Sequence, residues 1–151
     1  MTGLVAVVLA AHVLCAAVWF GAMAYSLAVV QPRVERVLGN QSEQLLVVLA
    51  AGARWKVAGL VGVLAVTGGA LALLPAHRSP VWWTAIVVSA VALVAAAAVF
   101  WRVSWRMWPA RVFATADELP AHRRRFRAVA WTMVTLTGVA TVAGVVAHVA
   151  A

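Results

Sequence analysis

Few side chains in this sequence can do chemistry, and they are unevenly spread. His12, Cys15 and Trp19 stand at positions i, i+3 and i+7, a spacing that puts all three on one helical face, which Met23 continues. Ala140, Gly144 and His148 recur every four residues near the other end of the chain. Such a small-residue track admits the close approach of a neighbouring helix or of a flat macrocycle. His77 stands beside Arg78, and His122 opens a run of arginines. Neutral imidazole binds copper, zinc and haem iron, and a thiolate adds a soft ligand that suits Cu(I). The expected metal ligands are therefore His12, His148, His77 and Cys15. The expected cofactor-binding residues are His12, His148 and Trp19, because two opposed histidines would suit bis-imidazole ligation of haem b. The residues alone leave copper ion and haem b both open, and no catalytic residue is assigned.

These side chains must be held by helices in a membrane. Of the 151 residues 66% are hydrophobic and 11% charged, against roughly 25% charged in a soluble domain. Charge-free apolar runs cover residues 3–30, 57–76, 81–101 and 128–149. Each is long enough to span a bilayer as a helix, and none alternates as barrel strands do. The expected fold is all-α, one four-helix transmembrane domain over residues 1–151 with helices at about 3–30, 57–76, 81–101 and 121–149. The first helix is expected to stay, since no basic residue precedes it and it is far longer than a signal-peptide core. Its end is expected at Gln31-Pro32, because proline disfavours helix at the residue before it. Gly39-Asn40 then breaks the chain ahead of a short apolar helix over about 41–53, either interfacial or an extension of the second span. The third helix is expected to finish in "WRVSWRMWP". The loop "PAHRSP" is short, so the second and third helices should form a tight antiparallel pair.

The formal charge of +8 is informative through its placement. Eleven of the twelve cations fall in the two long loops and their flanks, and only Arg78 lies at the other end. The positive-inside rule then puts both long loops in the cytoplasm and both termini outside. All four acids, Glu35, Glu43, Asp117 and Glu118, share the basic side. The surplus positive charge suits anionic lipid headgroups on the cytoplasmic side, and no nucleic-acid partner is expected. Trp101, Trp105 and Trp108, interleaved with Arg102 and Arg106, read as a headgroup-level belt, with Trp82 and Trp83 as its counterpart at the opposite end. Phosphate loops, dinucleotide glycine fingerprints and zinc-protease motifs are missing. No acid lies in any apolar run, which argues against a proton-coupled machine.

The histidines separate by depth. His12 lies 21 residues before Arg33, His77 lies 21 after Lys56, and His148 lies 21 after Arg127. Each is thus about 30 Å from the basic boundary of its helix. His122 belongs to a solvated helix start. His12 is the most telling, because helix continues beyond it and a histidine below the surface needs a hydrogen-bond or metal partner.

The stretch "HVLCAAVWFGAMAYSLAVVQPRV", residues 12–34, resembles the first helix of CopD-like copper-resistance membrane proteins. There a histidine is followed two turns later by tryptophan and glycine, with proline at the inner end. "RWKVAGLVGVLAVTGGALAL", residues 54–73, is similar to their next helix, which has a basic start and a Thr-Gly pair, here Thr67-Gly68. The resemblance implies a copper-related role carried by His12 in a bacterial inner (plasma) membrane. The first helix also resembles that of HemJ-type protoporphyrinogen oxidases, with His12 followed by Trp19-Phe20-Gly21. That family is expected to carry a lysine in its third helix, and residues 81–101 contain none. The expected function is copper handling or transport, or electron transfer, at an outer-leaflet histidine site. The alternatives are a non-catalytic subunit of a larger membrane complex, with a membrane-protein partner or a second copy, and porphyrinogen oxidation.

Overall fold

The computed structural model describes residues 2–50, 52–74, 79–115 and 117–150. Four helical stretches are long and apolar enough to cross a membrane: Gly3–Leu38, Ala53–Leu73, Pro80–Ala110 and Leu119–Val149. The first comprises α1 (Thr2–Tyr25), a π-turn at Ser26–Val30 and α2 (Gln31–Leu38). A short α3 (Ser42–Ala50) then precedes α4 (Ala53–Leu73). The third stretch is α5 (Pro80–Arg102), a π-turn at Val103–Met107 and α6 (Trp108–Val112), and the fourth is α7 (Leu119–Val149). Among the described residues there is no strand.

The first and third helices do not end at their prolines. A proline inside a helix lacks a donor, and its ring collides with the carbonyl four residues back. Here the residue before each proline donates one position further back: Gln31 N–H to the Ser26 carbonyl ahead of Pro32, and Trp108 N–H to the Val103 carbonyl ahead of Pro109. The widened turn accommodates the ring, and helix resumes. The first stretch thereby reaches 36 residues, about 54 Å at 1.5 Å per residue, well beyond a hydrocarbon core of about 30 Å.

The break between α2 and α3 falls at Gly39, where φ is +49°, and Ser42 Oγ donates to the Gly39 carbonyl at 2.6 Å. A second left-handed glycine, Gly52 with φ +74°, separates α3 from α4. The short helix is therefore a distinct element, not an extension of the second span.

Trp19 of α1, Leu64 of α4, Ala96 of α5 and Met133 of α7 form the central buried cluster, one residue from each long helix. The large indole fits because Ala96 opposite has 0% exposure and no bulk. The closest pair of helices is α5 with α7, while α1 lies between α4 and α7. The expected hairpin of α4 with α5 is not the tight pair. The reason lies on α7, where Ala140, Ala143, Gly144 and Ala147 let α5 approach more closely than a face of larger side chains would. Ser89 Oγ of α5 donates to the Ala140 carbonyl at 2.9 Å and lies where a Cβ on Gly144 would be 3.8 Å away. Near the ends of these helices Ser79 Oγ accepts from Trp82 N–H at 3.1 Å and donates to the Ala150 carbonyl at 3.2 Å. This clasps the start of α5 to the end of α7.

The belt opposite the basic end is narrower than expected. Trp82 is only 4% exposed and packs with Ala85 and Ala147, whereas Trp83 is 48% exposed. Trp83 alone has belt character. Trp82 is a core residue, buried because Ala147 leaves room for an indole.

At the basic end, among the described residues, two ion pairs tie the first half of the chain to α7. Arg123 Nε lies 2.6 Å from Glu43 Oε1, and Arg127 Nη2 lies 2.8 Å from Glu35 Oε2. Both pairs are partly open to solvent, so a double-mutant cycle on Arg123 and Glu43 is expected to give a coupling of about 1 kcal/mol or less, shrinking in high salt. The chain enters α7 through a local turn. Thr115 N–H and Oγ1 both donate to Glu118 Oε2 at 3.0 Å. These bonds, the backbone one foremost, hold the Glu118 carboxyl below the usual carboxylate range. A lowered folded-state value means that these bonds are intact above the ordinary glutamate range and are lost as pH falls through the lowered value. Amide exchange across residues 115–122 should accordingly quicken on acidification, and Glu118→Gln should flatten that dependence.

Candidate functional site around His12

His12 sits half-buried on α1 and faces α4. Its Nδ1 lies 2.7 Å from Thr67 Oγ1, and the same hydroxyl lies 2.7 Å from the Val63 carbonyl oxygen. A carbonyl can only accept, so the single hydroxyl proton goes to Val63. The threonine oxygen must then accept from the ring, which makes Nδ1 the donor. In the neutral ring this leaves the lone pair on Nε2, and Nε2 has no hydrogen-bond partner among the described residues. Metal-bound histidines are commonly oriented this way, with the non-ligating N–H held by an oxygen that fixes tautomer and ring plane.

Gly68 completes the seat. A Cβ there would fall 3.1 Å from His12 Cε1 and 3.7 Å from Nδ1, so the ring lies directly against the glycine backbone. The Thr67-Gly68 pair, four turns into the second span, thus supplies both the hydrogen bond and the space that His12 uses. Thr67 is the residue that the reading of candidate ligands missed. It is the only hydroxyl between Val57 and Leu74, and a histidine inside an apolar bundle needs a polar partner, so the signal was present in the neighbouring helix.

Inward from His12 on the same face, Cys15 is half-buried with a free thiol and packs against the central cluster, as does Met23. Trp19 is 3% exposed, and its Nε1–H is buried with no acceptor among the described residues. The expected stripe of His12, Cys15 and Trp19 is therefore an inward-facing one, running from the α1–α4 contact to the bundle centre.

The other expected ligands are placed differently. His148 lies in the last turn of α7 and is exposed. It is at a similar depth to His12: Phe20 on α1 lies against Gly138 on α7, and eight residues from each lie His12 and Val146. His12, however, turns to α4, not to α7. The Ala140–Gly144 track beneath His148 is occupied by Ser89 of α5, so the neighbouring helix, not a macrocycle, fills it. His77 lies outside the described residues. His122 is half-exposed at the basic end. Among the described residues no three of His, Cys, Asp or Glu converge as a ligand cluster.

An apolar groove of about 800 Å³ lies between α5, α7 and Phe20, lined by residues such as Thr84, Val88, Gly138 and Val142 and by no histidine. Its lining includes neither His12 nor Thr67. Comparison with protein-family models, curated proteins and solved structures finds no match for the chain.

Proposed function

We propose that the protein is a bacterial-type inner-membrane protein that handles copper, with His12 as the principal ligand and Cys15 as a soft second donor. The observation that carries this reading is the oriented imidazole. Nδ1 is committed to Thr67, Gly68 makes room for the ring, and Nε2 keeps a free lone pair. A nitrogen and a sulfur one helical turn apart suit Cu(I), which accepts few and soft ligands, whereas zinc asks for at least three protein ligands. The resemblance of residues 12–34 and 54–73 to CopD-like proteins points the same way. Haem b is less well supported, because the apolar groove between α5, α7 and Phe20 contains no histidine. Orientation with both termini outside would place the site in the outer leaflet, facing the compartment from which copper arrives.

A second reading, a non-catalytic subunit of a larger membrane complex, is favoured by a different observation. The apolar groove beside Phe20 lies open, and a helix of a partner or a second copy would fill it. Porphyrinogen oxidation ranks last, for want of a lysine in the third helix.

One preparation separates these readings. Protein purified from copper-supplemented cells is expected to carry about one copper per chain by elemental analysis and to show no Soret band. A Soret band would replace copper with haem, and a colourless, copper-free protein would favour the structural subunit.

A further inference from the structure

Independently of the His12 site, we propose that Arg102 and Arg106, beside the stacked pair Trp101–Trp105, form a binding site for the phosphate of an anionic lipid headgroup. The site lies where α5 passes into its π-turn. Trp101 and Trp105 are stacked at 3.9 Å between centroids with 14° between planes. Trp105 is pinned on its other sides by Trp55 at 6.0 Å, by Phe100 at 6.2 Å and by the Arg54 guanidinium 4.9 Å from its centroid. The result is a fixed aromatic shelf whose outer ring, Trp101, is 61% exposed.

Arg102 and Arg106 directly follow the two tryptophans, one turn apart and both exposed. The carboxylates at this end are engaged elsewhere: Glu35 holds Arg127, Glu43 holds Arg123, and Glu118 accepts from Thr115. Among the described residues no carboxylate pairs with Arg102 or Arg106. Two like charges one turn apart repel. They are retained here at the end of an apolar span, at the depth where phospholipid headgroups lie. A phosphate accepts from planar guanidinium forks in matched geometry. The indole shelf offers an amphipathic surface for the glycerol and upper acyl chain, which a free phosphate ion would not use. Charge complementarity and the exposed aromatic shelf together select an anionic phospholipid over a soluble anion.

The test is native mass spectrometry of the detergent-solubilised full chain titrated with short-chain phosphatidylglycerol or phosphatidylcholine. A one-to-one adduct is expected with phosphatidylglycerol at roughly tenfold lower concentration than with phosphatidylcholine, given the attraction of each cation for an anionic headgroup. Arg102→Gln with Arg106→Gln should abolish that preference, while Arg124→Gln with Arg125→Gln, an exposed pair at the same end, should keep it. Arg102→Lys with Arg106→Lys retains the charge and so the preference, but loses the forks that grip the phosphate common to both lipids, and should bind both more weakly. The proposal is overturned if the glutamine pair at 102 and 106 binds as the parent does, if the 124/125 control loses the preference equally, or if the lysine pair binds phosphatidylglycerol as tightly as the parent. Displacement of the lipid by millimolar inorganic phosphate would also overturn it, in favour of a soluble anion.

Discussion

Trp19→Ala is expected to be the most damaging single truncation in the bundle, costing about 3–5 kcal/mol. The indole touches Leu64, Ala96 and Met133, so its removal opens a void at the one place where all four long helices meet. Collapse into that void is only partial, because Ala96 across the bundle has only a methyl group to offer and the surrounding side chains can fill an indole-sized space only in part. In a bilayer the association of helices depends chiefly on such packing, since lipid is as apolar as the core. Reversible unfolding in bicelles would measure the loss. Trp19→Phe makes the companion test. Phenylalanine keeps most of the contact area and deletes an N–H that is buried with no acceptor among the described residues, a group whose burial costs about 1–3 kcal/mol. The phenylalanine variant should therefore lie within about 1 kcal/mol of the parent, the lost area being offset by the lost polar group. A phenylalanine variant as unstable as the alanine one would mean that the indole N–H holds an acceptor in the membrane.

The second large effect concerns copper. His12→Ala is expected to abolish stoichiometric copper, and Thr67→Val, which keeps the shape but removes the oxygen that orients the ring, should weaken copper binding by about 10–100-fold. Gly68→Val should act in the same direction by pushing the ring from its seat, since a Cβ alone already comes within 3.1 Å of it. His122→Ala and His148→Ala should leave copper content unchanged, because neither side chain shares the His12–Thr67 contact. Equilibrium competition with a Cu(I) chelator would rank the variants. A His12→Ala protein that still carries one copper per chain would remove the site from the argument altogether.

The four spans were legible because charge is excluded from them and gathered between them, a consequence of bilayer energetics that any single sequence displays. The shared face of His12, Cys15 and Trp19 was legible for a similar reason, as helical spacing is local. What lies across a helix interface is not local. Thr67 meets His12 only because α1 and α4 settle at one depth, and nothing in either helix alone states that depth. The pairing of α5 with α7, in place of α4 with α5, depended on how closely backbones approach over Ala140, Gly144 and Ala147, a choice that loop length does not make. Trp82 was read as a surface residue from its position near a helix start, yet the small side chain of Ala147 on another helix decides its burial. Pro32 and Pro109 were read as terminators from their own chemistry, and the carbonyls behind them moved instead.

Those two prolines have a further consequence for how the faces of the long helices are counted. Each widened turn holds one residue more than an ordinary turn, and one residue is about 100° of rotation. The helical phase set by His12, Cys15 and Trp19 is therefore not the phase of Glu35 on α2, nor does the face that Ala85, Ala92 and Ala96 present continue unbroken into α6. The basic end of each helix is clocked separately from its apolar stem. Removal of one residue from Ser26–Val30 would leave the stem where it is and swing Glu35 away from Arg127, uncoupling the charged end of the bundle from its core without altering a single residue of either.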